Sequence, residues 1–352
     1  MKRLLLFFSI ICAVTAFAAF FQPDVRPGYG VTDIGWLSDY FPPLRGTNLD
    51  TPVFYMDSGV EGPTFLLMGG THPREIASMV AATIFVENVV VKKGRVIVIP
   101  YANKSAASIP DTFGKVPHFI PVKSRSGPRF LVYGDRRTDP KDQGMPDPEK
   151  FVHPSGFELE DGAEARNLNR QYPGVPEGNP TQQLAYAIIQ LIKAEKVNFN
   201  LDMHESGTPE EYVDESGNIK KGGRLAFTLV CNPAALEIGA MALLMLEDQG
   251  ITFNLEESNP EFRGLSHLEI YNATGCLSFL SETPNPGQDP WRKHVDVIND
   301  PKYPLKLRVG MQLELIRCLI EAYNMYTGEA IQIEGLPSFQ DLMEKDVGSF
   351  LN

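Results

Sequence analysis

His72 and Glu75 stand three residues apart, His204 follows Asp202 by two, Glu282 closes an apolar run, and Asn169 precedes Arg170. Two imidazoles and a carboxylate form a ligand set that leaves a tetrahedral zinc one position for water, as in catalytic rather than structural centres. Zinc lowers the pKa of such a water to about 7, making hydroxide available near neutral pH. Glu282 is then a spare carboxylate that can take the water's proton and deliver it to a leaving amine, a role typically worth ~10²–10⁴ in rate. Asn169 and Arg170 offer an amide and a planar guanidinium fork for a substrate carboxylate. Alone, His-x-x-Glu or Asn-Arg is weak; their weight comes from company. Asp202 is either an acceptor for a ligand's ring N–H or a solvated residue at a strand end. His118 and His153 fall in a Pro-rich stretch, and His267 and His294 have no acidic partner at ligand spacing, so all four are read as loop or surface residues. No Gly-x-Ser-x-Gly elbow and no cysteine in a nucleophile motif supports Ser or Cys catalysis.

The elements that must position these residues alternate between short apolar runs and amphipathic stretches. Thr64–Met68 is an apolar run ended by Gly69-Gly70, a buried strand meeting a tight turn. A helix is expected directly after it, with Pro73 as its first residue and apolar positions at Ile76, Met79, Val80 and Ile84. Arg95 to Pro100 reads as another strand, and strand, helix, strand implies a parallel crossover. Asn179-Pro180 opens a helix striped by Leu184, Ile188, Leu191 and Ile192. In the next strand Phe199, Leu201 and Met203 face one way and Asn200, Asp202 and His204 the other. Further strands are read at Leu225–Cys231 and Cys276–Ser281, with helices from Asn232-Pro233 to Leu246 and from Pro304 to Tyr326. The expected fold is α/β, a mixed and largely parallel central sheet with helices on both faces. Residues 104–165 interrupt the rhythm with eight prolines and no amphipathic period, but their aromatics favour a lid over disorder.

The 352 residues are 43% hydrophobic, enough for one large domain or two ordinary ones. Lys2 and Arg3 precede an apolar run from Leu4 to Phe17, and Ala16-Phe17-Ala18 suits a signal peptidase. Residues 1–18 are therefore expected to be a removed leader, 19–51 a lead-in, 52–326 the catalytic domain and 327–352 a tail. The mature chain is expected to be periplasmic or secreted without a stable membrane anchor. The formal charge of −12 makes nucleic acid an unsuitable partner while leaving a small anionic substrate open. Beyond Cys12, three cysteines remain, allowing at most one disulfide.

At these motifs, with Asn167-Leu168-Asn169-Arg170-Gln171-Tyr172 and Asp202-Met203-His204, the chain resembles the zinc carboxypeptidase superfamily, and within it the succinylglutamate desuccinylase/aspartoacylase branch. The resemblance spans about 52–326. It implies one zinc per chain held by His72, Glu75 and His204, Glu282 as general base and acid, and Asn169 and Arg170 on a substrate carboxylate. The family's carbonyl-polarising arginine has three candidates, Arg136, Arg137 and Arg166; Arg137 is favoured because the insert can bring it over the metal. Tyr271 is the candidate for a substrate-capping tyrosine. Two departures stand out: one long helix and a short tail follow Glu282 in place of a β-rich domain, and the insert is longer than in those relatives. The expected function is amide hydrolysis in an N-acyl amino acid or a related carboxylate-bearing substrate. The alternative is a carboxypeptidase acting on peptides or cell-wall peptides, and a third reading is a binding protein without turnover.

Overall fold

The computed structural model describes residues 20–214 and 216–352; the expected leader lies outside them. Eight strands form the central sheet: β1 (Asp33–Trp36), β2 (Pro52–Asp57), β3 (Thr64–Met68), β4 (Arg95–Ile99), β5 (Phe199–Ser206), β6 (Thr228–Cys231), β7 (Asn254–Glu257) and β8 (Leu277–Pro284). Their spatial order is β1-β2-β4-β3-β5-β8-β6-β7. The central run β4-β3-β5-β8 is parallel throughout, whereas β1 and β2 pair antiparallel on one side and β6 runs antiparallel to β8 on the other. The sheet is thus mixed and largely parallel, as expected. Parallel neighbours need helical crossovers, which cover both faces and explain why β3 is buried along its whole length.

Helices α1 (Ile76–Asn88), α3 (Leu236–Asp248) and α5 (Leu305–Thr327) pack on one face with Phe65, Leu67, Phe199 and Leu201. On the other face α2 (Pro180–Ala194) and α4 (Ser266–Thr274) pack with Leu66, Met68, Ile97 and Ile99. Asn179 and Gln182 form a capping box at the start of α2, satisfying N–H groups that a helix end leaves free. Among the described residues no helix is long and apolar enough to cross a membrane.

The structure corrects several local expectations. Pro73 is not helical: α1 starts at Ile76, after a loop whose Gly69 and Gly70 carbonyls accept from Ala102 and Asn103 N–H groups. Residues 104–165 are not structureless. They contain an antiparallel hairpin, Phe119–Ser124 with Gly127–Val132, and short helical turns at Lys104–Ala107 and Pro140–Gln143. Pro121 and Pro128 sit in this isolated two-stranded ribbon, where a missing N–H is tolerated. The tail returns to the body, since Gln332–Glu334 pairs with Val90–Lys93 and a last helical turn, Phe339–Glu344, packs on α5. Cys231, Cys276 and Cys318 are buried free thiols.

Candidate active site

Two elements deliver the three candidate ligands to the carboxyl edge of the parallel strands, where open α/β sheets bind ligands. The loop after β3 carries His72 and Glu75, and the end of β5 carries His204. Glu75 stands between the imidazoles: its Oε1 lies 2.9 Å from His72 Nδ1 and its Oε2 2.8 Å from His204 Nδ1. All three side chains are buried.

The outer ring nitrogens are held as well. Asn167 Nδ2 donates to Glu164, which turns Asn167 Oδ1 toward His72 Nε2 at 2.8 Å. That oxygen can only accept, so His72 carries its proton on Nε2 and aims the Nδ1 lone pair at Glu75. His204 Nε2 lies 3.0 Å from Asp202 Oδ2, although off the line of a good hydrogen bond. Asp202 is fixed by hydroxyls of Thr71 and Ser266 at 2.8 and 2.7 Å, which excludes the solvated strand-end reading. Burial alone would lower the His204 pKa, but Asp202 and Glu75 raise it well above the ordinary value. Burial pushes His72 down to about 4. For Glu75, burial opposes charge, yet the two imidazoles hold the carboxyl far below its usual range.

Glu282 is brought beside this group by strand register. On parallel β5 and β8 it is the direct partner of His204, so the two side chains share a face. Its Oε2 is buried and has no hydrogen-bond partner. Burial and then the nearby Glu75 push its carboxyl up to about 8.

These residues line one cavity of about 520 Å³ together with Arg136, Asn169, Arg170, His267 and the end of β7. Asn169 Oδ1 accepts from Ser266 N–H at 2.8 Å, which leaves its NH2 group to donate elsewhere. Arg170 lies over the Phe262 ring at 5.0 Å; burial and then Arg136 lower its guanidinium pKa to about 10. Glu164 faces these cations, and although burial would raise its carboxyl, Arg136 and Arg170 hold it at about 2.

Comparison with known proteins adds the fold. No family model and no curated protein sequence matches the chain. Among solved structures, apo Csd4, a cell shape determinant protein of Helicobacter pylori, superposes with a TM-score of 0.50 at 15% identity over 83% of this chain and 58% of its own. A succinylglutamate desuccinylase of Silicibacter sp. TM1040 gives 0.45 at 15% identity over 82% and 64%. The ectoine utilization protein EutE (DoeB) of Ruegeria pomeroyi gives 0.44 at 17% over 80% and 62%. The chain shares the mixed α/β fold of Csd4. It spans less than two thirds of the length of each of these structures.

The convergence of His72, Glu75 and His204 can be tested against a metal. One ligand atom from each of His72, Glu75 and His204 lies within 4.8 Å of the others. With its Nε2 turned to Asn167 Oδ1, His72 faces the Glu75 carboxylate with its Nδ1 lone pair, an arrangement that repels unless a proton or a cation lies between them. A divalent cation with nitrogen and oxygen preference, such as zinc, fits.

The other expected residues divide. Asn169 and Arg170 reach the cavity, but Arg137 does not line it: its guanidinium is taken by Asp161 and Glu164 at 2.5 Å each. Arg136 lines the cavity in its place, with a buried Nε that lacks a partner. Arg166 is paired with Asp147, and Tyr271 is outside the cavity wall. Sequence reading missed His267. It is buried and lines the cavity, with Nδ1 2.6 Å from Ser258 Oγ, so its partner is a hydroxyl and not the acidic residue sought by spacing. His153 is also buried, tied to Ser155 and the Tyr172 carbonyl, rather than exposed.

Proposed function

We propose that the protein is a zinc-dependent hydrolase that cleaves an amide bond in an N-acyl amino acid or a related small carboxylate-bearing substrate. The observation that carries this is the pairing of His204, one of three convergent ligand groups, with the partnerless Glu282 carboxylate on the adjacent strand. His72, Glu75 and His204 hold the metal. Bound there, zinc supplies Lewis acidity that polarises a carbonyl and lowers the pKa of water to about 7.

The chain's own groups do the rest. Glu282 takes the proton of the attacking water and passes it to the departing amine nitrogen, a transfer its raised affinity for protons suits. Arg170 and the Asn169 amide grip the substrate carboxylate, and Phe262 stacked on Arg170 keeps the fork in place. Arg136, free of a side-chain partner at Nε, serves the scissile carbonyl, the role expected of Arg137. The leader-like residues 2–18 support export to the periplasm or beyond.

A second reading, a carboxypeptidase acting on peptides, is favoured by the cavity's extension past Leu280 and Val230 to Glu256 and Glu257 on β7, which gives room for a longer chain. Csd4, with which the fold is shared, is described as a D,L-carboxypeptidase. Incubation with N-acyl amino acids and with free-tailed peptides separates the two: release of the acyl acid supports deacylation, and stepwise loss of C-terminal residues supports the second reading.

A further inference from the structure

Glu205 follows His204 in β5, and alternation along the strand turns its side chain to the opposite face of the sheet from that of His204. There it meets Arg308 of α5, with Nη1 2.5 Å from Glu205 Oε1 and both side chains fully buried. A buried ion pair of this kind often contributes less to stability than apolar residues of the same size, so stability alone does not account for it. Its hydrogen bonds point to a different role.

Glu75 occupies the N-cap position of α1, yet its carboxylate is turned to the two imidazoles and caps no helical N–H. The capping is done from another strand: Glu205 Oε2 accepts from Ala77 N–H at 3.0 Å, in the first turn of α1. The same oxygen accepts at 3.1 Å from Asn285 Nδ2, which also donates to the Arg74 carbonyl. The Glu205 backbone N–H in turn donates to Glu75 Oε2 at 3.1 Å. Arg308 locks the hub, its other donors taken by the Tyr303 and Val297 carbonyls.

We propose that Glu205, braced by Arg308, is a positioning residue for the metal centre: it replaces the helix cap that Glu75 gives up and fixes the Glu75 loop against β5. This rests on reading His72, Glu75 and His204 as metal ligands. The active element is the acceptor at Ala77 N–H; Arg308 holds the other oxygen of the same carboxyl and so fixes where that acceptor points.

Two double variants separate these roles, with zinc affinity measured by chelator competition, the visible spectrum of the cobalt-substituted protein, and the melting temperature. E205Q/R308M keeps an acceptor for Ala77 and Asn285 while removing both charges, and E205L/R308M removes the acceptor as well. Zinc affinity is expected to fall about tenfold or more in E205L/R308M, as when an outer-shell partner is lost, with a changed cobalt spectrum. E205Q/R308M is expected to restore most of both. Equal zinc affinity and equal spectra in the two variants overturn the proposal. If E205L/R308M does not fold, E205D decides: it shortens the side chain by one methylene, and wild-type affinity and spectrum overturn the proposal. A wild-type protein that binds no zinc removes the metal reading and this proposal together, an outcome distinct from one in which only the variants match wild type.

Discussion

Glu282 owes its position to register: it sits beside His204 and has a buried oxygen that no group among the described residues satisfies. Glu282→Gln keeps the shape and removes the base. Turnover should fall by ~10²–10⁴ while the metal content stays at one zinc per chain, as read by kinetics beside elemental analysis. The arginines make a sharper comparison. Arg136→Lys should depress kcat because a point charge replaces a planar fork in the cavity, whereas Arg137→Lys should leave kcat within about twofold. The reverse pattern would return the role to Arg137. His204 sets a sign for metal binding: against the opposing effect of burial, Asp202 and Glu75 raise its pKa, so a proton and zinc compete for the imidazole. Zinc affinity should therefore weaken as the pH is lowered, and calorimetry in buffers of different ionisation enthalpy should register proton release. The convergence of His72, Glu75 and His204 was legible because metal ligation draws on few residue types, which stand out at the ends of apolar runs. The choice between Arg136 and Arg137 was not, because neighbours in an aperiodic loop carry no signal of which way each side chain points. His267 was invisible for a related reason: its partner, Ser258, has no ligand-like signature.

At the scale of elements, the loop between β3 and α1 carries two of the candidate ligands and has little slack. A Cβ on Gly69 would meet the Ser78 carbonyl oxygen at 2.5 Å, and Gly70 adopts φ +67°, where a side chain is strained. Gly69→Ala should therefore cost roughly 1–3 kcal/mol in denaturant unfolding and weaken zinc binding in parallel. The apolar runs that form β3, β4, β5 and β8 could be read directly, as could α2 from Asn179-Pro180 and its apolar stripe. The start of α1 could not: Pro73 is a good first helical residue by type, but its neighbours are committed to the turn and to the metal ligands. The Phe119–Val132 hairpin was hidden because prolines usually break strands, and only its place outside the main sheet makes them acceptable.

Across the whole molecule, the sheet gathers groups that lie more than 200 residues apart, from His72 to Glu282, into one cavity whose cations come partly from the 104–165 segment. Glu164 links that segment to the site, paired with Arg137 and lying 3.2 Å from Arg170. Its folded pKa of about 2 lies below the ordinary 4.5, so its contribution to stability is complete above pH 4.5 and lost as pH falls toward 2. Glu164→Gln should flatten the acid side of the stability profile over that window, as followed by thermal melts at each pH. The α/β class and mixed sheet followed from the alternation of apolar runs and amphipathic stretches. The strand order, which sets β8 between β5 and β6 and so places Glu282 beside His204, emerges only from tertiary packing.

The most direct test of the central claim is mass-spectrometric analysis of products after incubating the protein with a panel of N-acyl amino acids, with and without a chelator. The account predicts hydrolysis of the amide to the free acid and the amino acid, abolished by the chelator and restored by zinc. Hydrolysis at an unchanged rate in the chelator, or retained in Glu282→Gln, would contradict it.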